Sequence, residues 1–370
     1  MSFWGDCKIN DLSQLKLDPS ITNVLNECDI NGVNFEAPVK GNGKAEIKSG
    51  PVIFQHPKVP NWLIKNKFNL VSLANNHIMD YGLKGFKATV DSFSDITCVG
   101  AGNWEEAYSL KTIKVNRKTV GFLSLTHCEF GTLTDTTDLE NTTGAAWICH
   151  PSIPKLIQKS SEEVDFLIIM AHAGVENINI PIPEWRDIYK SFVDLGADVI
   201  IGTHPHVPQG WETYNDKPIF YSLGNFCFQK KNANVHPYWY DSLCVILTLD
   251  DNLKLNYDVK NISYRNNLIS IENDPKIIRH SKEINNKIHN SFEYTKSVNE
   301  NVLSLYSSYE HLFGASGFLK IDYNKDFIIK VIKAFIRKKI FPKTHLLNNI
   351  RCESHRWAIA RAIKIQNKIM

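Results

Sequence analysis

The sequence predicts an α/β protein with open sheets, and three observations carry that prediction. Short apolar runs such as residues 164–170 and 198–202 have the length and β-branched content of buried strands. Amphipathic segments, residues 83–93 and 184–195 among them, supply helices that return between the strands. The strands repeatedly end in polar residues, and in open α/β sheets the ligand crevice lies beyond the carboxyl ends of the strands.

Taken in order, Trp4-Gly5-Asp6 sits where a short first strand ends. A helix is expected over 21–28, a strand over 32–35 ending at Glu36, and a helix over 60–67. Residues 68–73 form a buried strand that runs into Asn75-Asn76-His77. Strands follow at 111–115 and 119–125, then a Thr-rich loop without periodicity over 129–149. The strand over 164–170 delivers His172, the strand over 198–202 delivers His204 and His206, and another covers 219–223. Residues 243–249 and 253–259 pair as a hairpin around Asp250-Asp251-Asn252.

Composition narrows the class. A chain of 370 residues with 43% hydrophobic and 22% charged residues can bury a large core. The N-terminal stretch MSFWGDCKIN lacks a basic segment followed by an apolar one, and no apolar run reaches the ~18 residues of a spanning helix. The eight cysteines contain no CxxC pair, so they are expected to be reduced thiols. A cytoplasmic protein, peripheral to the membrane at most, is therefore expected. The charge is uneven: residues 325–370 carry twelve Lys and Arg against Asp326 and Glu353, leaving the preceding 324 residues at −7 within a total of +3.

The strand-end residues suit a pair of divalent ions. Two close ions need a bridging carboxylate, further oxygen ligands and neutral imidazoles. Asp6 and Glu36 offer carboxylates, Asn76 an amide oxygen, and His172, His204 and His206 imidazoles. Such a pair acidifies water for in-line attack at phosphorus. His77 is placed to protonate the leaving oxygen, with Asp80 orienting its ring. His127, in SLTHCEF, reads instead as a hydrogen-bonded structural histidine. Tyr238-Trp239-Tyr240 reads as core or interface, with a sugar-stacking platform as the alternative.

The strings LANNHIMDYG, HAGVE, GADVIIGTHPHVPQGWE and IFYSLGNFCF resemble the CapA/PgsA family of capsule and poly-γ-glutamate synthesis proteins, within the calcineurin-like metallophosphoesterases. The resemblance covers roughly residues 4–249. It implies a four-layer α/β/β/α metallophosphoesterase-like sandwich over 1–265, with a mainly helical extension over 266–370 that is basic from 325. It makes Asp6 a ligand of the first metal, Glu36 the bridge, Asn76, His172 and His204 ligands of the second metal, and His206 a ligand of the first. His77 and Asp80 become the catalytic pair, and Asn75, Glu176 and Asn225 candidate substrate contacts. Two departures stand out. Lys8 occupies the place of an imidazole in the first motif, and the bridging acid is Glu36, in NFEAPV where relatives more often show NLESPV.

The implied function is a metal-dependent hydrolase in surface-polysaccharide synthesis, with Mn, Fe and Zn all suited to the mixed ligands. A non-catalytic polymer-binding assembly factor is the alternative. A phosphorylated or saccharide polymer is the expected partner, and nucleic acid is not expected. In the tail, Ile328, Val331, Ile332, Phe335 and Ile336 share one helical face, with Lys330, Lys333, Arg337 and Lys338 off it. A second helix is expected over 345–368. These helices either dock on the main domain, which is the favoured reading, or meet an anionic membrane.

Overall fold

The computed structural model describes residues 1–138, 142–230, 235–309 and 343–368. The larger sheet runs β2 (Lys16–Leu17), β18 (Leu268–Ile271), β17 (Leu255–Arg265), β16 (Asp241–Leu249), β1 (Ser2–Lys8), β3 (Asn31–Phe35), β4 (Leu70–Ser72) and β5 (Thr97–Val99). The short β15 (Cys227–Phe228) also pairs with β1. The second sheet runs β13 (Trp211–Tyr214), β14 (Lys217–Phe220), β12 (Val199–Thr203), β11 (Phe166–His172), β8 (Lys118–Thr126) and β7 (Lys111–Val115).

Central strands of both sheets are buried on both faces, and in β11 and β12 this appears in the sequence as largely continuous apolar runs. Phe3, Leu70, Phe122, Ile168, Met170, Ile201 and Val245 fill the space between the sheets. Trp4, Val33, Phe35 and Val71 pack outward against Ile21, Leu25, Leu63 and Phe86 of the first helical layer. Leu123, Leu167, Ile169 and Ile200 pack outward against Ile153, Ile157, Trp185 and Tyr189 of the second. The result is an α/β/β/α sandwich, the layering that the resemblance implies.

Four expectations change. Asp6 lies within β1, not at its end, because the strand continues to Lys8. A bulge at Gly5 shifts the register against β3, and a Cβ on Gly5 would meet Gly224 O at 1.9 Å. The Thr-rich loop contains β9 (Thr132–Leu133) and β10 (Thr143–Ala146), which join β6 (Ala101–Asn103) in a small third sheet. Strand β18 extends the larger sheet past residue 265, so regular helix resumes only at Pro275–His289.

The last expected helix is broken in two, Lys343–Arg351 and Glu353–Asn367, with Cys352 at the break. The Glu353 helix docks on the domain: Ala358 and Ala362 enter the outer core of the second sheet, and Trp357 stacks edge-on to Trp185 with centroids 5.0 Å apart. The expected basic helix over 328–338 lies outside the described residues.

Candidate metal centre

Strand ends from both sheets converge on one crevice. Among these groups Glu36, which follows β3, is fully buried, with no hydrogen-bond partner among the described residues for either carboxylate oxygen. Burial pushes its pKa well up, opposed mainly by the neighbouring His206. One ligand atom each from Asp6, Glu36 and His172 lies within 4.8 Å of the others. His206 Nε2 is 3.7 Å from Glu36 Oε1, and His206 Nδ1 is 3.5 Å from Asp6 Oδ2. A buried, unpartnered carboxylate beside further carboxylate and imidazole ligands is the donor set that a divalent cation satisfies.

The local backbone aims these groups at some conformational cost. Ala37, His204 and His206 all have positive φ (114°, 96° and 60°), at about 1–3 kcal/mol each. The His204-Pro205-His206 turn is held by Asp6, whose Oδ2 accepts from His204 N at 3.1 Å, and by Asn177 N donating to Pro205 O at 2.9 Å. Gly174 lets that turn close, since a Cβ there would lie 2.6 Å from Pro205 Cγ.

His172 lies at the end of β11, with Nε2 3.2 Å from both Asn76 Oδ1 and His204 Nδ1. Its Nδ1 faces Thr203 Oγ1 and Asn34 Nδ2. Burial, reinforced by His127 and His172, holds His204 well below the usual imidazole pKa, in the neutral form that binds metals. Burial alone would also lower His206, but the Glu36 and Asp6 carboxylates push it up to about 10. For Asp6, burial is outweighed by hydrogen bonds from His172 and His206, which hold it below the usual carboxylate range.

Beside this group, His77 Nδ1 lies 2.8 Å from Asp80 Oδ2, and its Nε2 points toward Glu36 Oε1 at 3.9 Å. Burial and the Lys48 ammonium lower the His77 pKa, against the pull of Asp80.

The sequence-predicted residues therefore separate into groups. Asp6, Glu36, Asn76, His77, His172, His204 and His206 come together, with Asp80 behind His77 and Glu176 on the crevice wall. Asn75 and Asn225, expected at the substrate, are committed elsewhere. Asn75 donates to Phe35 O and accepts from His77 N. Asn225 faces His206 Nδ1 with Oδ1 and donates to His206 O and Trp239 O, which makes it an orienting group.

Three further side chains take part in the site. Asn34 donates to Asp6 at 2.7 Å, and the period-two alternation that places it on one face with Glu36 was a usable signal. Lys48, from the loop after β3, donates to Asn76 O at 3.1 Å and pairs with Asp80. Glu129 accepts from Asn76 Nδ2 at 3.1 Å. Neither of the last two belongs to a periodic element that would have flagged it.

Residues 16–230 match the family model described as bacterial capsule synthesis protein PGA_cap. The chain belongs to this family. Relatives include the PGA biosynthesis protein CapA of Bacillus subtilis, 33% identical over 210 residues, covering 53% of this chain and 52% of that protein. The capsule biosynthesis protein CapA of Bacillus anthracis is 35% identical over 170 residues, covering 44% of this chain and 41% of that protein. The chain thus spans about half the length of these relatives or less. Among solved structures, a putative 5'-nucleotidase from Staphylococcus aureus aligns with a TM-score of 0.42 and 15% identity, covering 76% of this chain and 57% of that one. The capsule synthesis match includes Glu36, Asn76, His77, His172, His204 and His206, while Asp6 and everything after residue 230 lie outside it.

In this member of the capsule synthesis family the crevice, about 660 Å³, is also walled by Lys8, Lys230, Phe228 and Trp239. Trp239 is buried against His206, so it belongs to the centre's wall and not to an exposed platform. Lys8 donates to Gln229 O at 2.8 Å.

Proposed function

We propose that this protein is a metal-dependent hydrolase acting on a phosphoester-type bond during assembly of a bacterial surface polymer. The observation that carries the reading is Glu36, a buried carboxylate without hydrogen-bond donors among the described residues, clustered with Asp6, His172 and His206. Asp6, Glu36 and His206 would hold one divalent ion, and Glu36, Asn76, His172 and His204 the other. When bound, the ions supply Lewis acidity toward a phosphoryl group and lower the pKa of water.

The chain's own residues do the rest. Asp80 fixes the His77 ring through Nδ1, leaving Nε2 to pass a proton to the departing oxygen. Lys8 and Lys230 give the crevice wall a positive character suited to a phosphorylated or anionic saccharide polymer. Among the described residues no helix is long and apolar enough to cross a membrane. We place the protein in the cytoplasm, with the basic segment over 328–338 as the part that would meet an anionic membrane surface.

A non-catalytic, polymer-binding reading is favoured by one observation: Lys8 stands where an imidazole would complete the first ion's ligands. The purified protein assayed against a panel of phosphoesters, with and without Mn²⁺, separates the two. Metal-dependent turnover lost in His77→Ala supports the hydrolase. An absence of turnover, with a cellular phenotype preserved in His77→Ala and abolished in His172→Ala, supports the binding protein.

A further inference from the structure

We infer that His127, Glu129 and Cys352 form a separate thiolate-containing zinc site, completed by the C-terminal segment that lies outside the family match. One ligand atom from each of the three lies within 4.8 Å of the others. Cys352 Sγ is 3.6 Å from Glu129 Oε1, and His127 Nε2 is 3.5 Å from the same oxygen. Tetrahedral zinc, with bonds of about 2.0–2.3 Å, sets its ligand atoms about 3.3–3.7 Å apart, so only a small closure is needed.

Hydrogen-bond bookkeeping fixes the state of His127. The Ser354 hydroxyl donates its proton to Gly174 O, because a carbonyl can only accept. Ser354 Oγ therefore accepts, from Trp185 Nε1 at 3.0 Å and from His127 Nδ1 at 3.1 Å. The His127 proton is thus on Nδ1, and Nε2 presents a lone pair. That nitrogen is fully buried and has no hydrogen-bond donor among the described residues, yet it faces a carboxylate oxygen. Two electron-rich atoms held this way call for a cation between them. The Nδ1–H to Ser354 contact is also the kind of outer support that orients a metal-ligating histidine.

Cys352 completes the set. It occupies the N-cap position of the Glu353 helix without a side-chain capping bond, and its S–H points at Glu129 Oε1. Binding of M²⁺ releases the Cys352 proton to solvent and leaves Sγ as the third ligand. Sulfur, imidazole and carboxylate together favour Zn²⁺ over Mn²⁺ or Mg²⁺. Glu129 lines the crevice, which offers the route of entry. Glu129 also holds Asn76, so the site braces a proposed ligand of the main centre.

The test uses the full chain stripped of metal by a chelator and titrated with Co²⁺ and Zn²⁺. We expect a near-ultraviolet thiolate-to-Co²⁺ charge-transfer band in the wild type, lost in Cys352→Ser, together with one Zn²⁺ equivalent. Glu129→Gln keeps the sulfur and should weaken that equivalent at least ten-fold, which guards against a Cys352→Ser chain that fails to fold. Absence of the band from the wild type, or a band undiminished in Cys352→Ser, overturns the proposal. An unchanged zinc equivalent in both variants does the same.

Discussion

Glu36 Oε1 lies 3.7 Å from His206 Nε2, and neither oxygen of Glu36 receives a hydrogen bond from the described residues. A buried carboxylate left this way is unfavourable on its own, by several kcal/mol if it stays charged. A divalent ion removes that penalty in the folded state only, so binding and folding are linked. At a free metal concentration ~100-fold above its Kd, the stabilisation is about 2.7 kcal/mol. Thermal unfolding with Mn²⁺ and then with excess chelator should show the melting temperature fall on chelation. Glu36→Gln should lose most of this dependence and be no less stable than the chelated wild type.

Behind His77, the Lys48 ammonium and the Asp80 carboxylate are paired with almost no solvent exposure. Asp80→Asn strands the ammonium, and unpairing a buried ion pair costs about 3–5 kcal/mol. Lys48→Met in the same background should recover much of that loss, as a denaturant double-mutant cycle would show. His77→Ala is a different kind of change. It should lower turnover about 10²–10⁴-fold with little loss of metal. Equal losses of metal and turnover would place His77 among the ligands instead.

Much of this centre was legible in the sequence because strand ends carry a signal. Each apolar run names the residue that leaves it, so His172, His204 and Asn76 could be placed together without coordinates. Other residues carry no such local mark. The bulge at Gly5 hides that Asp6 lies inside β1, since the close approach of Gly224 O has no local sequence mark. Asn75 and Asn225 sit in the right strings, but only their partners reveal them as braces. Lys48 and Glu129 reach the centre from aperiodic loops. His127 reads as a hydrogen-bonded histidine and bonds Ser354, a partner more than 220 residues later that no local pattern names.

The C-terminal docking is testable through Glu353. Its carboxylate accepts from Cys128 N at 2.8 Å and Trp147 Nε1 at 2.6 Å, both on the main domain. Hydrogen bonds to a charged group contribute about 1.5–3 kcal/mol each, so Glu353→Ala should cost at least ~2 kcal/mol by urea denaturation. For the same reason, deleting the tail is a poor probe of membrane binding, since it removes part of the core. Charge reversal at Lys330, Lys333, Arg337 and Lys338 is cleaner. Unchanged binding of that variant to anionic vesicles would exclude this segment as the membrane contact.

Acid sensitivity should trace in part to Glu212, which receives Arg186 Nε at 2.6 Å and Nη2 at 2.7 Å. Burial pushes its pKa up, but the Arg186 and Tyr221 hydrogen bonds outweigh burial and hold it below the ordinary carboxylate value. A folded-state pKa that is depressed gives stability above the unfolded value of about 4.3 and loses it as pH falls through the folded one. Glu212→Gln should therefore be less stable at neutral pH and show a shallower decline below about pH 4.3. An unchanged acid slope would remove Glu212 from the account.

The central claim is that Glu36 anchors a divalent-metal centre, and calorimetric titration of the chelator-treated protein with Mn²⁺ tests it most directly. Mn²⁺ prefers oxygen and imidazole ligands, so the thiolate-bearing group at Cys352 contributes little to the signal. Saturable binding by the wild type, weakened at least ten-fold in both Glu36→Gln and His172→Ala, is the predicted result. No binding by the wild type, or equal binding by Glu36→Gln, would contradict it.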